Sequence, residues 1–208
     1  MVNEREHHWN TVYKEEEVTE VGWYEESPEK CLELIEKCNI NLDEKILDVG
    51  VGASMLIDNL INKGYKNIIA TDISKEALKK LKNRLGEGAS FVDFVVDDIT
   101  QPEHLNKLKD IALWHDRAVL HFLTKDSERQ AYLSTLLQVV KPSGYVIIAA
   151  FSLDGAPKCS GLDVRRYDKD MIQEFLGDEF VLKEHFNYLY HTPSGNERPY
   201  VYTLFQRK

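Results

Sequence analysis

Four aspartates close four short apolar runs along this 208-residue chain: Asp48, Asp72, Asp98 and Asp116. A carboxylate at a strand end offers two acceptor oxygens and no donor, so it can take two O–H or N–H groups of one ligand. The first stands in Ile46-Leu47-Asp48-Val49-Gly50-Val51-Gly52-Ala53-Ser54, an apolar pair, an acid and two glycines, with a helical apolar pattern following at once. That order reads as strand, tight turn and helix, where a nucleotide-like ligand docks on a twisted parallel sheet. Gly50 and Gly52 allow a sharp turn and close approach of ligand atoms. The strict dinucleotide spacing Gly-x-Gly-x-x-Gly fails, because Met55 takes the last glycine's place. An acid just before the glycines would repel a pyrophosphate at the helix N-terminus and suits a cation or an ammonium group.

The elements needed to position these acids follow from periodicity. Strands are expected over 45–49, 67–71, 90–96 and 111–115, and an uninterrupted apolar run over 145–151 fits a strand buried on both faces. Between them come helices from near Ser54 to Gly64, from a Ser74 cap through Leu85, briefly from Pro102 to Leu108, and from Asp126 to Val140, closed by Pro142 and Gly144. Ser27-Pro28 opens an earlier helix as N-cap and first residue, with Cys31, Leu32, Ile35 and Cys38 on its inner face. Asp168 caps a last helix that ends at Gly177. Two strand-like runs, 180–190 and 199–206, flank Thr192-Pro193-Ser194-Gly195-Asn196 and read as an antiparallel hairpin. The whole is one α/β domain, 1–208, built as a Rossmann-like, doubly wound, seven-stranded sheet that is mostly parallel with an antiparallel C-terminal hairpin. Residues 1–26 carry Trp9, Tyr13, Trp23 and Tyr24 among glutamates and are expected as an arm folded over the core, 27–208, with a short helix around Trp9 to Glu17 and then a loop.

Composition narrows the partners. Hydrophobic residues at 43% and charged ones at 29% are ordinary for a globular protein. A net charge of −9 argues against nucleic acid and anionic membranes as partners. No run reaches the length of a membrane span, and the charged start has no apolar signal core, so a cytoplasmic location is expected. Three scattered cysteines make no disulfide framework, and no Cys/His set has zinc spacing.

Taken together, Leu47 to Ser54, Ile69-Ala70-Thr71-Asp72-Ile73-Ser74 and Phe94-Val95-Val96-Asp97-Asp98-Ile99-Thr100 resemble the motifs of the class I S-adenosylmethionine-dependent methyltransferases. With the helix ending at Lys141-Pro142-Ser143-Gly144, the resemblance covers about residues 40–155. It implies a methyltransferase with S-adenosyl-L-methionine as methyl donor and S-adenosyl-L-homocysteine as product. Asp48, Gly50, Val51, Gly52 and Ser54 would form the turn beneath the methionine moiety. Asp72 would take both ribose hydroxyls and Ile73 would lie against the adenine. Asp98, ranked over its neighbour Asp97, would accept from the adenine amino group beside Ile99. Leu113 to Leu123 resembles the Asp-Lys/Arg-Gly/Ala pattern of thiopurine-type and protein-lysine methyltransferases, and Trp23-Tyr24-Glu25-Glu26 is similar to a segment of the latter. His115 would then border the sulfonium, Trp23 would cover the cofactor, and Asp116 or His121 would serve as base toward a protein lysine or a small amine or thiol. The alternative for Asp116 is an ion pair with Arg117 or Arg165. Arg165 and Arg166 either bind an acceptor anion or hold their loop, and Cys159 is a candidate reactive thiol. Two other readings stay open: a non-catalytic cofactor-binding module, and a nicotinamide-dependent oxidoreductase.

Overall fold

The apolar runs that end in aspartate form four adjacent strands of one sheet. The computed structural model describes residues 4–52 and 54–208, so Ala53 of the glycine turn and the first three residues of the expected arm lie outside the described residues. Strands β1 (Lys45–Val49), β2 (Ile68–Asp72), β3 (Val92–Val96), β4 (Ile111–Arg117) and β5 (Val140–Phe151) are parallel. The loop after β5 carries a two-residue ladder, β6 (Lys158–Cys159) against β7 (Leu162–Asp163). Then β8 (Phe180–His191) and β9 (Glu197–Arg207) form the antiparallel hairpin, and β9 pairs with β5. The order is β3-β2-β1-β4-β5-β9-β8, the seven-stranded sheet expected. The outermost strand, β8, changes register between Leu182 and Glu184.

This order reverses direction at β1: β2 and β3 build outward on one side, β4 and β5 on the other. Loops at the carboxyl ends of β1 and β4 therefore diverge and leave a crevice between them. Two apolar layers cover the sheet. Helices α2 (Glu29–Cys38), α3 (Leu56–Asn62) and α4 (Lys75–Leu85) share a core with Ile46, Ile68, Leu113 and Ile147 on one face. Helices α5 (Asp126–Val139) and α6 (Lys169–Leu176) pack on Leu47, Ile69, Trp114 and Ile148 on the other. Successive strand residues point to opposite layers, so the alternation decides where each polar residue of β1 and β4 goes.

Local chemistry accounts for most element ends. Ser74 accepts from the Ala77 N–H (3.2 Å) and Asp168 from the Met171 N–H (2.8 Å), each capping its helix. Several boundaries differ from expectation. Helix α1 spans Glu4–Glu15, starting well before Trp9, because it lies on the rest of the fold and not in solvent. Pro28 is itself the N-cap of α2, and no side chain caps that end. Around Pro102 only a 3-10 turn forms, Leu105–Lys107, because Asp97 captures the N–H groups of Glu103, His104 and Leu105. No helix among the described residues is long and apolar enough to cross a membrane.

Candidate functional site

A cavity runs across the carboxyl edge of the sheet in strand order. Asp97, Asp98 and Ile99 line it after β3, Asp72 and Ile73 after β2, Val49 and Gly50 after β1, Arg117, Ala118 and Val119 after β4, and Cys159 after β5. Trp9, Tyr13 and Trp23 cover it from the N-terminal arm. Gly50 and Gly52 both have positive φ (61° and 56°), which side chains other than glycine seldom adopt. A Cβ on Gly50 would overlap the Val119 methyl, and one on Gly52 would overlap the Tyr13 hydroxyl.

Asp72 is the central polar group. Its Oδ2 accepts from the Gly52 N–H (2.8 Å) and its Oδ1 from the Ser74 N–H (2.7 Å), so it ties the β1 turn to the start of α4. Burial raises its pKa to about 6 against the pull of those N–H donors, with Asp48 adding a further rise. The neighbouring Thr71 hydroxyl, on the same wall, is buried with no protein partner. At the next strand end the two aspartates divide the work. Asp97 gives both oxygens to backbone N–H groups of the loop that follows, four in all. Asp98 accepts from the Thr100 N–H and hydroxyl at Oδ1, and lines the cavity. Ile99, Leu105 and Leu123 add an apolar slot beside it.

The arm is fastened at several points. Asn10 accepts from the Ser74 hydroxyl (2.9 Å), Lys80 donates to the Glu16 carbonyl (2.8 Å), and Arg5 pairs with Glu128 (3.0 Å). The Trp23 indole N–H donates to the Tyr13 hydroxyl (3.0 Å), placing two aromatic rings over the glycine turn. Burial, and then Asp72, raise the Tyr13 pKa far above its ordinary value, so it remains a neutral phenol.

A family profile described as "Methyltransferase domain" matches residues 46–144, the stretch that holds the ends of β1 to β4. The matched stretch is similar to methyltransferase domains, and the fold is the one found in S-adenosylmethionine-dependent methyltransferases. It is 28% identical over 155 residues to EEF1A lysine methyltransferase 2 of Danio rerio, covering 69% of this chain and 66% of that protein. It is 31% identical over 178 residues to the eEF1A lysine and N-terminal methyltransferase of Mus musculus, covering 86% of this chain but 24% of that one. The chain thus spans just under two thirds of the first relative and about a quarter of the second. A solved S-adenosylmethionine-dependent methyltransferase from Anabaena variabilis superposes with a TM-score of 0.77 at 14% identity, over 100% of this chain and 96% of the other, which shows a shared fold.

Within this methyltransferase fold, His115, expected to border the sulfonium, and Asp116 and His121, expected as alternative bases, do not line the cavity. His115 faces the α2 layer, where Nδ1 meets Asp48 Oδ1 at 2.6 Å, both side chains almost fully buried. Burial opposes its charge, but the Asp48 carboxylate prevails and raises its pKa to about 10. Asp116 faces the opposite layer. It accepts from the Val119 N–H (2.8 Å), the Leu120 N–H (3.0 Å) and the Tyr132 hydroxyl (2.7 Å), and pairs with neither Arg117 nor Arg165. His121 is buried between Phe122 and Phe151, where burial and then Arg117 lower its pKa to about 3. Alternation along β4 is the reason: adjacent residues of a central strand are swallowed by the two layers. Of the turn residues, Ser54 accepts from the Leu56 N–H (3.1 Å), and Asp48, Val51 and Gly52 are buried and do not line the cavity. Arg166 holds its own loop by donating to the Leu153 and Gly155 carbonyls. Arg165 stacks over Tyr167, its guanidinium 5.5 Å from the ring centre.

Sequence reading missed Tyr13, Asn10 and Arg117. Arg117 lines the cavity with its guanidinium 5.1 Å from the ring centres of both Tyr190 and Tyr200. It donates to the Tyr202 hydroxyl (3.2 Å) and the Trp23 carbonyl (2.9 Å), and Glu25 lies 3.1 Å away. Arg117 is the basic residue of the Asp-Lys/Arg-Gly/Ala pattern, but the sequence assigned it no role beyond a pairing with Asp116.

S-adenosylmethionine suits this donor set. The ionised Asp72 keeps acceptor capacity for hydroxyls, the unpaired Thr71 hydroxyl awaits a partner, and Ile73, Ile99 and Leu105 provide apolar faces for a base. The glycine turn, with no side chains, leaves room for a backbone-hugging ligand.

Proposed function

We propose that the chain transfers a methyl group from S-adenosyl-L-methionine to a nucleophilic nitrogen or sulfur, releasing S-adenosyl-L-homocysteine. The observation that carries this reading is a single cavity wall bearing Asp98, Asp72 and Gly50 at three successive strand ends. Asp72 would hold the ribose hydroxyls, Asp98 the adenine amino group, and Ile73 and Ile99 the adenine faces. The Gly50–Gly52 turn would support the methionine portion, with Asp48 below it. Bound there, the donor supplies an electrophilic methyl on a cationic sulfur. The chain's own contribution is position and exclusion of water, since displacement at a methyl group depends on an aligned, desolvated nucleophile. Trp9, Tyr13 and Trp23 serve that exclusion. On this reading residues 1–208 act as one domain, with residues 1–26 as an arm over the cofactor.

The acceptor is either a protein lysine, as the names of the relatives say of those proteins, or a small molecule. A reducing cytoplasmic setting belongs to the same reading and is supported by three free cysteines. Calorimetry tests the core of it: S-adenosylhomocysteine should bind at micromolar concentration and NADH should not. Binding of NADH without S-adenosylhomocysteine would overturn the reading in favour of an oxidoreductase.

A further inference from the structure

The arm covers the cavity by resting on the surface assigned to the donor. Gly52 belongs to the turn proposed to support the methionine portion, yet it is buried and does not line the cavity. The Tyr13 phenol lies on it, its hydroxyl at the place a Gly52 Cβ would take. A ligand that reaches this turn has to lift the Tyr13 ring first.

The arm is built so that it can lift. Its apolar contacts form a cluster of their own, Tyr13 and Ala77 with Trp9, Val18 and Trp23 packed against them, separate from the two layers that enclose the sheet. Opening it leaves those layers intact, which is the mark of a unit that unfolds locally.

Arg117 holds the end of the arm down. Its guanidinium lies 5.1 Å from the ring centres of both Tyr190 and Tyr200 and donates to the Tyr202 hydroxyl, so the hairpin fixes its direction. So held, it donates to the Trp23 carbonyl (2.9 Å) and pairs with Glu25 (3.1 Å). The Tyr190 hydroxyl donates to the Tyr24 carbonyl between them. The Arg117 and Glu25 side chains are 11% and 13% exposed, so solvent screens the pair little. Trp23 in turn donates to the Tyr13 hydroxyl (3.0 Å). One line of contacts thus runs from the hairpin through Arg117 and Trp23 to Tyr13, and ends on the glycine turn.

Resting on the reading that this cavity takes S-adenosylmethionine, we infer that Trp23-Tyr24-Glu25 and Arg117 form a latch on cofactor exchange. Latched, the arm blocks the glycine turn; unlatched, it admits the cofactor and then closes over it. Arg117 and Glu25 are positioning residues here, acting through Trp23 and Tyr13. A latch that opens for both entry and exit stabilises the closed arm equally with and without ligand. It therefore slows both directions and leaves affinity almost unchanged, whereas loss of an ordinary binding contact speeds dissociation alone.

Stopped-flow fluorescence tests this, because Trp9 and Trp23 sit on the arm while the third tryptophan, Trp114, is buried in the core. As S-adenosylhomocysteine is raised, the observed binding rate of the wild-type protein should level off at the rate of latch opening. Glu25→Gln with Tyr190→Phe removes the carboxylate and the hydroxyl contact at two residues that do not line the cavity, and keeps the ring beside Arg117. This double variant should raise the plateau and the dissociation rate at least tenfold each, with the calorimetric dissociation constant within threefold of wild type. Lys80→Ala, which frees the Glu16 carbonyl at a separate anchor of the arm, should move both rates the same way by a smaller factor. A wild-type rate that stays linear in ligand through saturation would overturn the inference. So would unchanged rates in the variants, or faster dissociation alone with affinity falling in proportion. Failure of the wild-type protein to bind S-adenosylhomocysteine at all would instead remove the methyl-transfer reading.

Discussion

Asp72 and Asp116 occupy equivalent places, at the carboxyl ends of two parallel strands, and burial raises both to about 6. Their surroundings assign them different work. Asp72 holds two backbone N–H groups, one from each flanking turn, and borders the cavity. Asp116 is enclosed by three donors, two from the turn it precedes and one from Tyr132 of α5, whose hydroxyl also accepts from Trp114 at 2.9 Å. Asp116 thus sets Val119, and Val119 sits against Gly50. A perturbed carboxylate at a strand end is therefore no sign of chemistry by itself; the number of its donors and its access to the cavity decide.

Mutation should separate the two aspartates. The largest effect is expected for Asp72→Ala, a loss of S-adenosylhomocysteine affinity exceeding a hundredfold by calorimetry, about 3 kcal/mol, as for two charge-assisted hydrogen bonds. Asp116→Ala should lower unfolding free energy by about 3 kcal/mol in urea, because three buried donors lose their acceptor, while leaving that affinity within about threefold. Equal affinity losses in the two variants would erase the distinction. Next comes pH. If ribose hydroxyls require ionised Asp72, affinity should fall as pH drops through about 6. The fall should be about tenfold one unit lower, and Asp72→Asn should flatten it. A smaller effect is expected for Ser74→Ala, which removes a helix cap and an arm anchor: about 1 kcal/mol in melting experiments, with Asn10 keeping its longer contact to the Glu76 N–H.

Much of this was legible in the chain. Apolar runs ending in acids, glycines at the tight turn and the Thr192–Asn196 break placed strands, crevice and hairpin, because each signal is local. The direction of His115 and Asp116 was not legible. The run from Ile111 to Asp116 is buried on both faces, so no polar alternation marks which residue faces which layer. Only pairing with β1 settles it. The strand expected from residue 145 starts earlier, because β5 already pairs at Val140 with Ile111 before an irregular step. Asn10, Tyr13 and Arg117 act through partners far along the chain, Asn10 on Ser74 and Arg117 on Trp23, Tyr200 and Tyr202. Periodicity carries no such information.

The register change in β8 has a consequence of another kind. A parallel sheet left open at both margins offers rows of unpaired amides to a second copy of the chain, the usual start of aggregation. Here one margin is a strand of five residues with Asp93 exposed on it. The other is kinked at Leu182/Glu184 and carries Lys183 and His185 outward, beside the exposed Val181. Neither margin offers a flat, uniformly apolar row, which disfavours pairing with a further strand.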